Sequence, residues 1–425
     1  MFAHLDADAF FASVLERMDP KIKGKPILAL GAGGGVVIAA SYPAKAKGIK
    51  TGMRLADARK LCPEAITRLS DFTEACRASE QIEEILRSNA ALVEQMSVDE
   101  WYVDLRSIVE GIPENPHTWA AAIQKKIALS VGLTVSVGIA PTKLLAKMAS
   151  EYRKPSGITI VTTDKNVHFP FPAPPKLPGS EGGSIFHFQF LRDRPAAAIP
   201  GIGRARQVHT ASLNWQTAWD IAQANPQTIV HLFGKPGTDM QEELNGRPRF
   251  AVVNESPPPK SISRCRSFRN TTDMRMIFGT VMEHAAITIL RMRQQGLSCR
   301  GVSVWLRDRE YHYYGETIKL PERLDTEERL QSYIKTCFER IRPSCVQGCT
   351  QAGLALLELL PRGSAQYSLF EETKTVDKAE EIQRSLDEVR TRFGRGSIVR
   401  GTSLEKSSGP KKRLPSGFGR IGEVR

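Results

Sequence analysis

Two acidic pairs are the first candidates for chemistry. Asp6 and Asp8 lie in the apolar run HLDADAFFASV at 4–14, and Asp99 and Glu100 lie in SVDEWYVDL at 97–105. A carboxylate at the end of a core strand loses hydration, and several together repel one another at pH 7. Divalent cations are the usual remedy. Oxygen-only ligands favour Mg²⁺, which keeps waters and takes its remaining ligands from substrate phosphates. Two such ions roughly 3.5–4 Å apart can activate one oxygen and stabilise the leaving one in phosphoryl transfer. Each pair alone is also readable as structural, with Asp6 capping a helix and Asp99-Glu100 in an exposed turn. Asp8 reads as a helix cap and Asp104 as a strand-end charge.

The elements that would position these acids follow from periodicity. FAHLD at 2–6 reads as a strand, and the pattern turns helical from Phe10 to about Met18. Two strands flank the glycine-rich turn Gly31 to Gly35, and a short helix ends at Pro63. A longer helix runs from Phe72 to about Leu92, and two strands then reverse near Val98 to Glu100. A helix at 117–131, the alternating strand LTVSVGIA, a lysine-bearing helix at 142–152 and the strand ITIV complete the region. Without the insertion at about 10–71, the order is strand, helix, two strands, helix, strand: a split βαβ, ferredoxin-like plan. The first strand and the central hairpin are neighbours in that plan, so Asp6, Asp99 and Glu100 could converge.

A chain of 425 residues implies several domains, and its 41% hydrophobic and 25% charged residues are those of a globular protein. No apolar run reaches membrane-span length, and the N-terminus lacks a basic signal-peptide region, so a cytoplasmic protein with no membrane association is expected. Seven scattered cysteines read as buried thiols. The net charge of +13 suits a polyanion partner such as nucleic acid. HFPFPAPPKLPGSEGGS, at 168–184, reads as a linker or surface excursion, and SPPPK at 256–260 as a second linker. A second βαββαβ string follows at about 260–361. The tail beyond is polar, and its last 21 residues hold six Lys/Arg against two Glu.

HLDADAFFASV, SYPAKAKGIKTGM, SVDEWYVDL and SVGIAPTKLLAKMASEYRKPSG, in this order, closely resemble the Y-family translesion DNA polymerases of DinB/UmuC type, the class of bacterial DNA polymerases IV and V. The likeness runs over residues 1 to about 370. It implies an α+β multidomain, right-hand fold. The ferredoxin-like palm would be 1–9 and 72–161, small fingers 10–71, a helix-hairpin-helix thumb 162–250, a linker 251–259 and a βαββαβ little finger 260–361. A flexible tail would occupy 362–425. The implied activity is error-prone, template-directed DNA synthesis in damage bypass and the SOS response, from dNTPs on a primed template. Two Mg²⁺ ions would be held by Asp6, Asp99, Glu100 and the Ala7 carbonyl. A non-catalytic DNA-binding adaptor of the same fold is the alternative, and the presence of all three acids argues against it.

The likeness also assigns further residues. Phe11 would be the steric gate that excludes a 2′-hydroxyl, with Phe10 packed beside it. Tyr42, Lys45 and Lys154 would bind the triphosphate. Many relatives have arginine where Lys45 stands, so the bidentate fork is lost. Lys143 and Lys147, four apart on one helix face, read equally as DNA supports or solvated charges. Gly201 and Gly203 in PGIG look like a hairpin turn that offers N–H groups to a DNA phosphate. Lys260, Arg264 and Arg266 share one side of a strand and would follow duplex phosphates. Gln366, Leu369 and Phe370, in QYSLF, resemble a sliding-clamp docking peptide. Accessory mutagenesis proteins are further expected partners.

Overall fold

The computed structural model describes residues 1–163, 185–255, 257–345, 347–362, 373–394 and 397–398. They form two compact units that part between Ser256 and Pro257.

The first unit begins with β1 (Phe2–Ala7), α1 (Phe10–Met18), β2 (Ile27–Leu30), β3 (Val37–Ala40), α2 (Tyr42–Ala46), α3 (Leu55–Leu61) and β4 (Ile66–Leu69). It continues with α4 (Phe72–Arg87), β5 (Val93–Gln95), β6 (Glu100–Asp104), α5 (Pro116–Val131), β7 (Val135–Ala140), α6 (Lys143–Ser150) and β8 (Ile158–Thr162). The strand β9 (Ile185–Phe186) leads into the helices α7 (His187–Asp193), α8 (Arg204–Ser212), α9 (Ala218–Ala222) and α10 (Pro226–Leu244).

The main sheet has the order β5-β6-β1-β7-β8-β9. Strand β1 is antiparallel to both β6 and β7, so β5, β6, β1 and β7 make the ferredoxin-like plan, and β8 extends it in parallel. All six residues of β1 are buried, because both faces of the sheet are covered. Ala3, Leu5 and Ala7 pack with Trp101, Val137 and the apolar stripes of α4 and α5. The opposite face carries Phe2 and Tyr102 against Leu145 and Ala149 of α6 and against Phe190 and Phe233 of the later helices. Helix α6 crosses β7 so closely that a Cβ on Gly138 would lie 2.1 Å from the Ala146 carbonyl oxygen. This contact fixes α6, and its lysines, over the middle of the sheet.

The insertion at 10–71 forms its own sheet, β3-β2-β4, with an antiparallel β2–β3 hairpin around the glycine turn and a parallel β2–β4 pair. The PGIG turn precedes α8. Gly201 takes the left-handed φ of 95° that glycine accommodates, Ile202 is buried, and Gly203 caps the helix.

The second unit contains β10 (Ser261–Thr271), α11 (Met274–Gln294), β11 (Leu297–Arg307), β12 (Tyr313–Leu324), α12 (Glu327–Ile341), β13 (Cys349–Leu357), β14 (Leu360–Pro361) and α13 (Thr373–Phe393). Its sheet order is β10-β13-β11-β12, with β14 paired to β11. Ile277, Val281 and Ile289 of α11 and Leu330, Ile334 and Phe338 of α12 pack on one face, against Val302, Val304, Leu306 and Leu354.

Three expectations change. Asp8 is not a helix cap: the cap position of α1 is Ala9, in a left-handed conformation with φ 48° and no side-chain cap bond. Lys143 and Lys147 are not solvated, as described below. The tail expected to be flexible contains α13, held on the unit by charge. Arg390 pairs with Glu327, both buried, and Gln383 accepts from the Glu327 backbone N–H at 3.0 Å. Arg293 bridges Asp325 at 2.9 Å and Asp387 at 2.5 Å. A polar pattern reads as a solvated tail, yet here the polar residues make the contact. The excursion at 168–184 and the peptide at 366–370 lie outside the described residues.

Candidate active site

The pairing of β1 with β6 sets Asp6 directly opposite Glu100. Beyond the last pair, the Ala7 N–H donates to the Asp99 carbonyl oxygen at 2.9 Å. The turn between β5 and β6 therefore folds back over the end of β1, and acids from two distant stretches of the chain occupy adjoining positions. Ser97 shapes that turn: its hydroxyl donates to Asp99 Oδ1 at 2.5 Å.

Each of two acids faces an ammonium. Lys154 Nζ lies 2.6 Å from Asp6 Oδ1 and 2.7 Å from Glu151 Oε1, and Lys147 Nζ lies 2.5 Å from Glu100 Oε1. Burial nonetheless pushes the Asp6 carboxyl up to about 8, against the pull of Lys154. Burial also pushes Asp99 up, against the Ser97 hydrogen bond, with the Glu100 charge adding to the rise. Among the described residues, no three acidic, histidine or cysteine side chains converge on one point. The donor set is nevertheless one of crowded, dehydrated carboxylates whose compensating charge comes from two flexible lysines. That chemistry fits hard divalent cations.

The phosphate-binding candidates gather beside these acids. The half-buried Tyr42 phenol donates to Asp8 Oδ1 at 3.2 Å, and Lys45 Nζ lies 4.6 Å from the centre of the Tyr42 ring. Burial lowers the Lys45 pKa, and the charge of Lys154 lowers it further. Phe10 is buried. Phe11 is partly buried and meets Phe10 and Phe72 edge-on, each at 5.4 Å between ring centres.

Several residues with no assigned role in the sequence reading line the site. His4 is buried under α6, with Nδ1 2.8 Å from Ser150 Oγ and Nε2 4.0 Å from Glu100 Oε2. Ser150 Oγ donates its proton to the Lys147 carbonyl, so it accepts from His4 Nδ1–H. Burial holds His4 below the usual histidine range, and the charges of Lys147, Lys154 and Lys143 add to this. Glu151 shares Lys154 with Asp6. The i, i+4 spacing of Lys143 and Lys147 signals one helix face; only the packing of α6 shows that this face meets the sheet.

Lys143 serves a different purpose. Its Nζ lies 2.7 Å from Glu94 in a buried pair, and Glu94 also accepts from the Val253 N–H at 3.1 Å. Asn254 accepts from the Val93 N–H at 2.9 Å and donates to the Ala91 carbonyl at 2.8 Å. The segment leaving α10 is thus stitched to edge strand β5. In the second unit, Lys260 and Arg266 are exposed and Arg264 is half-buried. By alternation, they share the side of edge strand β10 that carries Ile262 into the core.

The model of the impB/mucB/samB family matches residues 5–151, and that of the impB/mucB/samB family C-terminal domain matches residues 259–369. DNA polymerase IV of Moorella thermoacetica is 30% identical over 411 residues, covering 94% of this chain and 95% of the relative. DNA polymerase IV of Methanoculleus marisnigri is 32% identical over 324 residues, covering 75% and 83%. Among solved structures, a Y-family DNA polymerase chimera of Dbh and Dpo4 aligns with a TM-score of 0.67 at 24% identity, covering 85% of this chain and 99% of that one. DinB from Sulfolobus solfataricus aligns with a TM-score of 0.54 at 24% identity, over 85% and 99%. Three adjoining acids at the end of the central strands, the two family domains and relatives matched over most of their length agree, and the chain belongs to the Y-family DNA polymerases of the DNA polymerase IV type.

Proposed function

We propose that this translesion-type, DNA-directed DNA polymerase carries out nucleotidyl transfer at the end of strands β1 and β6 of the main sheet, where Asp6, Asp99 and Glu100 adjoin. The observation that carries this reading is the Asp6–Glu100 register, with Asp99 folded back over β1. Asp6, Asp99, Glu100 and the Ala7 carbonyl would hold two Mg²⁺ ions, which would supply activation of the primer 3′-hydroxyl and neutralisation of the triphosphate. Lys147 and Lys154 balance the acids until then. Lys154, with Tyr42 and Lys45, is also placed to receive phosphate oxygens. Phe11 closes the sugar side against a 2′-hydroxyl, and Phe10 supports it from the core.

The palm is assigned to 1–9 and 72–161, the fingers to 10–71, the thumb to 162–250, the linker to 251–259 and the little finger to 260–361. Gly201 and Gly203, with Lys260, Arg264 and Arg266, contact DNA phosphates. Gln366, Leu369 and Phe370 dock a sliding clamp, and accessory mutagenesis proteins are further partners. Among the described residues no helix is long and apolar enough to cross a membrane. We place the protein in the cytoplasm, at the nucleoid when it acts.

The test is primer extension with a primed template, dNTPs and Mg²⁺. The wild type should extend. Asp99→Ala combined with Glu100→Ala should lower the rate about a thousandfold or more while keeping DNA affinity, since the several kcal/mol of charge stabilisation would be lost. Equal extension by both would remove the site. No extension by either would favour the adaptor alternative.

A further inference from the structure

We propose that Asp8 is a positioning residue: it seats the Tyr42 phenol, and with it the Lys45 ammonium, for the incoming triphosphate. This rests on the triphosphate reading of Tyr42 given above. Asp8 is 1% exposed, and a carboxylate so buried needs its hydrogen bonds filled. Ser136 Oγ of β7 donates to Oδ1 at 2.7 Å, the Ser156 N–H between α6 and β8 donates to Oδ2 at 2.9 Å, and the Tyr42 phenol of α2 donates to Oδ1 at 3.2 Å. These donors are neutral, whereas Asp6 and Glu100 face ammonium groups. Ser156 takes a left-handed φ of 55°, uncommon for a residue with a side chain, and in that conformation its N–H bonds Asp8. One acid therefore ties three separate stretches of chain to the end of β1.

The lengths separate a fixed base from a movable contact. Two bonds of ordinary length hold the carboxylate to β7 and to the stretch before β8. The phenol bond, at 3.2 Å, is long for O–H···O, whose usual value is near ~2.7–2.8 Å. A phenol has a single proton to give. If that proton turns to a phosphate oxygen, Asp8 keeps its two firmer donors and remains satisfied. Burial, reinforced by the Asp8 charge, raises the Tyr42 pKa, so the hydroxyl stays a donor. Lys45 Nζ lies over the same ring, so placing the ring also places that charge.

The experiment is steady-state single-nucleotide incorporation on a primed template with Mg²⁺, comparing Asp8→Asn, Tyr42→Phe and the double variant. Tyr42→Phe and Asp8→Asn should each raise the dNTP KM about tenfold, the size of one lost hydrogen bond, with kcat changed less than about threefold. The double variant should be no worse than either single one. Ser136→Ala, which removes only the bond from β7, should raise KM about threefold in the wild-type background and not in Tyr42→Phe. KM effects that simply multiply, or an Asp8→Asn loss confined to kcat, would overturn the proposal. An unchanged KM in Tyr42→Phe would overturn it too, while extension by the wild type would leave the polymerase reading standing. If Asp8→Asn does not fold, the Ser136→Ala and Tyr42→Phe pair decides alone.

Discussion

The main sheet of the first unit and the sheet of the second are built from the same string, βαββαβ, yet they are wired differently. Numbering each set of four strands along the chain, the first has the order 2-3-1-4 and the second 1-4-2-3. The first strand is central in one and the last strand in the other. In the first unit both faces are covered, so β1 is buried throughout, and the acids at its end are dehydrated and matched by lysines. In the second, the helices cover one face, and alternation puts small residues on the other. There Trp305 lies across Gly353, where a Cβ would meet its ring at 2.2 Å. Burial on both faces creates a place where charge is held at high energy, which is what chemistry needs. Cover on one face leaves the other side of the sheet open, as antiparallel sheets allow. The difference teaches that the same order of elements can enclose different strands, and with them different side chains.

The largest test of this contrast concerns where charge is structural. Glu327→Ala would leave Arg390 buried and unpaired, and should lower the stability of the second unit by ~3–5 kcal/mol in urea unfolding. Extension on short primers should persist under folding conditions. An unchanged midpoint would mean that α13 is not held by this pair.

The next effect is on sugar choice. Phe11→Ala should lower discrimination against ribonucleotides about a hundredfold, measured as the ratio of kcat/KM for dNTP over rNTP. The corresponding trimming of an aromatic in the second unit, Trp305→Ala, should leave that ratio alone. Retained discrimination in Phe11→Ala would end its assignment as the gate.

A smaller effect should appear in the pH dependence of stability without divalent cations. The folded Asp6 carboxyl is held up to about 8 by burial, while an unfolded aspartate ionises near ~3.9. Between those values the folded state keeps a proton that the unfolded state has lost. The stabilising contribution is complete below the unfolded value and is lost as pH rises through the folded one. The melting temperature should fall by roughly 5 °C from pH 5 to pH 8, Asp6→Asn should flatten the profile, and Mg²⁺ should restore part of the loss at pH 8. A flat wild-type profile would show that Lys154 neutralises Asp6 fully. The smallest expected change is in salt dependence: Arg266→Ala should reduce the slope of log affinity for duplex DNA against log salt by about 1, without altering sequence preference. An unchanged slope would remove that arginine from the DNA surface.

Much of the site was legible because its signals are short in sequence. The apolar strand ending in Asp6 and the reversal at Asp99-Glu100 give both the strand plan and the acids. Asp8 was misread because capping is a local rule, whereas the strand continues through Ala7 and hands the cap to Ala9. Lys143 and Lys147 look alike in the chain, yet one anchors the segment after α10 and the other balances Glu100. The helix α13 escaped notice because a helix docked through arginine, aspartate and glutamine has the composition of a solvated one.

The sequence by itself determined the element order, the acids and the aromatic pair behind them, since periodicity and residue chemistry act over a few residues. Only the tertiary structure decided which strand each sheet encloses and which lysine meets which acid. It also decided that Asp8 faces Tyr42. Burial and partner choice depend on segments distant in the chain, from 34 residues between Asp8 and Tyr42 to 148 between Asp8 and Ser156, and no local pattern carries them.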